Sequence, residues 1–163
     1  MAKGMELKQV QIKSRKYDNE TGVFEGYAAV FGNVDSDGDI IEPGAFAKFL
    51  AGDTGRVKIL ALPNDKVLPI GKPVELYEDD IGLYLKAQLS DTSMGRDIRQ
   101  LLKDGVLNEL SIGYIPVEFH FDDAGNRCLT EIILEEVSVV TWAANDMAKI
   151  LSAKGKKSLE PNN

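Results

Sequence analysis

Residues 110–142 read LSIGYIPVEFHFDDAGNRCLTEIILEEVSVVTW. Two long runs rich in β-branched and aromatic residues, 110–121 and 128–142, flank the turn-forming DDAGN. That pattern predicts an antiparallel hairpin. If the loop is the four residues 122–125, Phe121 pairs with Asn126 and Ser111 stands opposite Glu136. Directly opposed side chains share a face, with Cβ atoms ~5 Å apart. A five-residue loop would bring Val137 opposite Ser111 instead, because each one-residue slip changes the partner and the face.

Working outward, most of the chain has the same strand character. Residues 5–13 alternate with one slip, 23–31 (VFEGYAAVF) carry Gly26 as a bulge signal, and 57–62 (VKILAL) form a short buried-type run. Residues 73–79 and 81–90 alternate around Glu78-Asp79-Asp80. Two helices are expected. One covers 43–50, with Pro43 in its first turn and Gly52 beyond its end. The other covers 93–104, with Met94, Ile98, Leu101 and Leu102 on one face, Ser93 as N-cap and Gly105 just past the end. Many strands with two helices predict an α+β fold that is mainly β, a closed β-barrel decorated by helices. The barrel domain is expected over 1–152, with Trp142 in its core, and a polar, disordered tail over 153–163.

Composition narrows the function classes. A net charge of −7 argues against a nucleic-acid partner, which needs a basic face. No apolar run approaches the ~20 residues of a membrane helix, and the N-terminus lacks the apolar core of a secretory signal. One cysteine, Cys128, precludes an internal disulfide and fits a reducing cytoplasm. One histidine, His120, precludes a His-rich metal site, and neither a metal nor a cofactor is expected.

The stretch NVDSDGDIIEPGAF, residues 33–46, begins like an EF-hand loop, with Asn33, Asp35 and Asp37 at alternate positions and Gly38 following. Position 12 is Gly44 rather than a bidentate carboxylate, and the preceding segment is strand-like. The stretch is therefore read as an acidic turn in which Gly38 takes a positive φ, leading from a strand into the helix at Pro43.

Taken in order, D-x-x-GD-x-I-x-PGAF, PIG at 69–71, DTSMGRDI leading into a helix, LSIGY at 110–114 and LEEVSVV at 134–140 resemble the prohead proteases of tailed bacteriophages. The resemblance covers roughly residues 20–150. It implies a capsid-maturation serine protease on an assemblin-like barrel, acting inside the procapsid in the bacterial host cytoplasm. Its partners would be the major capsid protein or a scaffold protein, with a homodimer possible through a helix. It implies Ser111 as nucleophile, Glu136 as third member of the catalytic set, and Gly95 and Arg96 as oxyanion candidates. Without the family, Ser111 is an ordinary strand serine, Glu136 an edge carboxylate and Arg96 an exposed helix residue. The rival function is a capsid-assembly module that binds scaffold or capsid protein without cleaving it.

A serine hydroxyl needs a base to take its proton. The family carries a histidine a few residues before PIG, a position that falls here at Pro63 or Asn64. Proline offers no acceptor, and an asparagine amide is not basic at neutral pH. His120 lies nine residues after Ser111. In an extended strand that is ~30 Å away and on the other face. Lys66 could serve only if burial lowered its pKa. A base removed deliberately, a silent family member and a rearranged active site all fit. Cys128, lacking a histidine partner, is expected to be a structural cysteine, and the acidic pairs 78–80 and 122–123 to be solvated turns.

Overall fold

The computed structural model describes residues 6–11, of which only the backbone is considered, together with 21–35, 37–61 and 66–141. Pro63, Asn64, Trp142 and the tail 153–163 lie outside the described residues. In chain order the elements are β1 (Glu6–Gln11), β2 (Val23–Val30), β3 (Asp39–Ile41), α1 (Ala47–Leu50) and β4 (Lys58–Ala61). There follow β5 (Gly71–Glu78), β6 (Gly82–Leu89), α2 (Ser93–Lys103), β7 (Glu109–Phe121) and β8 (Arg127–Val140).

The strands join in the order β1-β7-β8-β4-β5-β6-β2, with β3 pairing β8 off this path. Along one edge β8 pairs β7 throughout; along the other it takes β3 near its start and β4 near its end, both parallel. The two ends of the path, β1 and β2, approach each other. Among the described residues the sheet thus curls into a half-barrel, mainly β with two helices, and no ladder joins β1 to β2.

One face of the curled sheet is apolar. Phe24, Ile41, Phe46, Ile59, Leu85, Leu110, Ile112, Tyr114, Leu134, Val137 and Val139 pack there as one core. Each fully buried aliphatic or aromatic side chain contributes ~1.5–3 kcal/mol relative to exposure. Helix α2 closes this core through Ile98 and Leu102, while Met94, expected on the same stripe, is exposed. Its N-cap is Thr92, not Ser93: the Thr92 Oγ1 accepts the Gly95 N–H at 3.0 Å. Its end is a Schellman turn. Gly105 has φ +75°, and the N–H groups of Val106 and Gly105 donate to the carbonyls of Leu101 and Leu102.

The acidic stretch is a turn, as read, with Gly38 at φ +81°, but it also holds a strand the pattern did not announce. Asp35 Oδ1 accepts the N–H groups of Asp37 and Asp39, each at 2.9 Å. Asp39 then opens β3, where Arg127 grips it through Nε–Oδ1 and Nη2–Oδ2 contacts of 2.9 Å each. The segment from Pro43 is a run of turns before a four-residue α1, shorter than the helix expected over 43–50. Glu78 accepts the N–H groups of Gly44 and Phe46, and Asp79 accepts those of Ile81 and Gly82. These carboxylates are turn-capping groups rather than merely solvated ones.

Candidate active site

The β7–β8 register decides what surrounds Ser111. The hairpin loop has five residues, 122–126, so Phe121 pairs with Arg127 rather than Asn126. Asp122 organises it, accepting the N–H groups of Ala124 and Asn126 and the Asn126 amide. Further along, Tyr114 pairs with Leu134 but Gly113 pairs with Glu136, leaving Glu135 as an extra residue. Ser111 is therefore opposite Ser138, not Glu136 or Val137.

The bulge has a chemical consequence. Ile132 and Leu134 face the core, and unbroken alternation would send residue 136 there as well. The extra residue flips the phase, so that Val137 and Val139 take the core face and Glu136 and Ser138 the opposite one. Ser111 alternates with the core residues Leu110 and Ile112, so it lies on that opposite face too. The expectation that Ser111 and Glu136 share a face holds, but as diagonal rather than opposed neighbours. Diagonal Cβ atoms stand ~7–8 Å apart, which leaves room for one intervening group.

All three side chains are withdrawn from solvent: Ser111 and Ser138 are 0% exposed and Glu136 is 6% exposed. Ser138 Oγ donates to Glu136 Oε1 at 2.5 Å. Ser111 Oγ is buried with no hydrogen-bond partner among the described residues. Ser138 was missed in the sequence, although the apolar phase break between Leu134 and Val137 signals a bulge and puts it on the face of Glu136.

β4 completes this face. Leu60 pairs with Ser138 and Lys58 with Glu136, and β4 ends at Ala61 beside Val139. The sequence that follows Ala61 carries Pro63 and Asn64, the positions at which the resemblance leads a base histidine to be expected; both lie outside the described residues.

His120 is exposed and pairs with Cys128 near the hairpin loop, far along β7 from Ser111. Lys66 is exposed, so the burial a lysine base requires is missing. The Gly95 N–H is held by Thr92 Oγ1 and the Arg96 N–H by Thr92 O at 2.8 Å, so both donors are committed to the helix cap. The Arg96 guanidinium is exposed and bridges to Asp91 at 3.2 Å.

The sequence matches the family described as caudovirus prohead serine protease over residues 8–161. It is 37% identical over 146 residues to the prohead protease of Enterobacteria phage HK97, covering 88% of this chain. The chain spans 65% of the length of that relative. It is 30% identical over 148 residues to the prohead protease of Escherichia phage T5, covering 88% of this chain and 69% of the other. The fold is similar to the capsid assembly protease of bacteriophage T4. The TM-score is 0.65 at 13% identity, over 85% of this chain and 98% of the other. With a match that takes in nearly its whole length, the chain belongs to the caudovirus prohead serine protease family.

Proposed function

We propose that this chain is a serine endopeptidase of procapsid maturation whose nucleophile is Ser111 and whose carboxylate is Glu136. One observation carries the reading: a buried serine hydroxyl without a partner among the described residues, beside a buried serine–carboxylate pair, in a chain of this family. A buried hydroxyl left unsatisfied is costly, and such groups persist where chemistry uses them. In this reading Ser111 Oγ attacks the scissile carbonyl, a base in the diagonal gap takes its proton, and Glu136 orients that base. Ser138 fixes the carboxylate. For Gly95 or Arg96 to supply oxyanion donors, the first turn of α2 has to release Thr92.

The substrate is a scaffold protein or the scaffold segment of the capsid protein, met inside the procapsid in the host cytoplasm. The curled sheet closes into an assemblin-like barrel, and the active form is a homodimer. No helix among the described residues is long and apolar enough to cross a membrane.

A second reading is favoured by the absence of histidine at Pro63 and Asn64: the same fold binds scaffold or capsid protein without cutting it. Incubating the purified chain with its capsid precursor separates the two. Cleavage by the chain, or by Pro63→His or Asn64→His variants, that is lost on Ser111→Ala supports the protease. Binding that persists with no cleavage by any of these supports the assembly module.

A further inference from the structure

The register that places Ser111 opposite Ser138 also brings the chain's single histidine against its single cysteine. His120 and Cys128 are direct cross-strand partners in β7 and β8. On the far edge of β8, Ile40 of β3 pairs with Cys128, and the Glu42 N–H donates to Leu129 O at 3.0 Å. Alternation then puts Glu42 on the face of Ile40 and Cys128, away from the core residues Ile41 and Leu129. One ligand atom from each of Glu42, His120 and Cys128 lies within 4.8 Å of the other two.

We propose that Glu42, His120 and Cys128 form a binding site for a borderline divalent transition-metal ion of the Zn²⁺ type. Thiolate, imidazole and carboxylate are the three side-chain ligands such an ion accepts, and three of them leave a fourth, tetrahedral position for water. Ligand atoms around a tetrahedral zinc stand about 3.5 Å apart. Closing the triangle from its present size asks for a movement of roughly 1 Å. His120 is exposed and can supply it by side-chain rotation, while Cys128, 4% exposed, and half-buried Glu42 give a fixed base. The ligands come from β7, from β8 and from the residue that follows β3, so no sequence spacing announces the site.

The electrostatics favour a cation. The carboxylates of Asp122 and Glu42 stand near Cys128 and set a negative field around its sulfur. The same negative field attracts a divalent ion, which replaces the thiol proton; that proton leaves to solvent. The Asp122 oxygens are held by the hairpin loop, so Asp122 acts through its field and not as a ligand. A bound ion would pin the entry to α1 onto the β7–β8 hairpin. It lies nine residues of β7 from Ser111, ~30 Å in extended chain, which makes it a clasp and not part of the hydrolytic site. The assignment is independent of the protease reading.

The test is a Co²⁺ titration of the chelator-treated full chain, followed by Zn²⁺ competition. With one cysteine and one histidine in the chain, a thiolate-to-cobalt charge-transfer band can come only from Cys128. The expected result is one Co²⁺ per chain with that band and the strong visible bands of tetrahedral cobalt, all displaced by Zn²⁺. His120→Ala, a change at an exposed position that the fold tolerates, should weaken binding at least roughly tenfold, Glu42→Gln should weaken it, and Cys128→Ser should abolish the charge-transfer band. No charge-transfer band, one metal per two chains, or unchanged affinity in His120→Ala would each overturn the site.

Discussion

Ser138 Oγ donates to Glu136 Oε1 at 2.5 Å, two residues along the same strand and on the same face as Ser111. The bulge at Glu135 puts this pair on the face of Ser111, because it turns both Glu136 and Ser138 away from the apolar core. The two serines paired across β7 and β8 are thus in opposite situations. One hydroxyl is committed to a carboxylate, and the other is buried without a described partner.

Their alanine variants should accordingly differ in sign. Ser138→Ala leaves a 6%-exposed carboxylate short of a donor and should destabilise the protein by ~1–3 kcal/mol. Ser111→Ala removes a buried hydroxyl that gains no compensating bond, and should be neutral or stabilising by up to ~1–3 kcal/mol. Urea denaturation of both variants checks this. A Ser111→Ala variant that loses as much as Ser138→Ala would mark Ser111 as a structural serine.

The elements of this fold were readable because strand and helix periods survive in the local sequence. The alternations over 23–31, 81–90 and 110–121 became β2, β6 and β7 nearly residue for residue. Register was less readable, since it depends on the count of residues in a loop and on single-residue bulges. One extra residue in the DDAGN loop and one at Glu135 each moved the partner of Ser111, and together they restored the face while changing the neighbour. The same loop count hid the pairing of His120 with Cys128. β3 was unreadable for another reason: Asp39–Ile41 is three residues long and is held by a long-range ion pair rather than by a pattern of its own.

That ion pair should be among the most sensitive positions in the molecule. Asp39 and Arg127 are register partners across the parallel β3–β8 ladder, and their side chains are only 7% and 22% exposed. Arg127 also lies 5.4 Å from the centre of the Phe119 ring. Arg127→Met strands a buried carboxylate and should cost ~3–5 kcal/mol. Combining it with Asp39→Leu removes the charge as well and should recover most of that loss. Chemical denaturation of Arg127→Met, Asp39→Leu and the double variant measures this; single losses that simply add in the double variant would mean that the pair is not coupled.

Stability should fall on the alkaline side. The Tyr27 hydroxyl donates to Asp79 Oδ2 at 2.5 Å, and that of Tyr84 donates to Glu25. Burial first, and then the carboxylate partner, raises both phenols above their ordinary value of 10.0. The folded state therefore keeps protons that the unfolded chain gives up. This contribution is fully present below the unfolded pKa of ~10 and is lost as pH rises beyond it. Denaturation midpoints should drop between about pH 9 and about pH 11, with a shallower drop in Tyr27→Phe. In a tyrosinate absorbance titration, Tyr27 and Tyr84 should be among those of the five tyrosines that ionise only with unfolding. A flat stability profile across that window, with all five titrating together, would contradict this.

Gly95 separates a packing role from a catalytic one. A Cβ built there would lie 1.9 Å from the carbonyl oxygen of Ser90, a backbone atom that cannot turn aside. The glycine lets the first turn of α2 press onto the end of β6, while its N–H is held by Thr92 Oγ1. Gly95→Ala must push α2 outward and loosen Ile98 and Leu102 from the core, a loss on the order of 2–4 kcal/mol. Thr92→Ala removes only the cap, at about 1 kcal/mol, and frees the Gly95 N–H. If the N–H groups of α2 serve an oxyanion, Thr92→Ala should leave cleavage by a histidine-restored variant intact or raise it. If they are purely structural, cleavage should track stability in both variants. Melting curves and precursor-cleavage rates measured on the same two proteins decide between these outcomes.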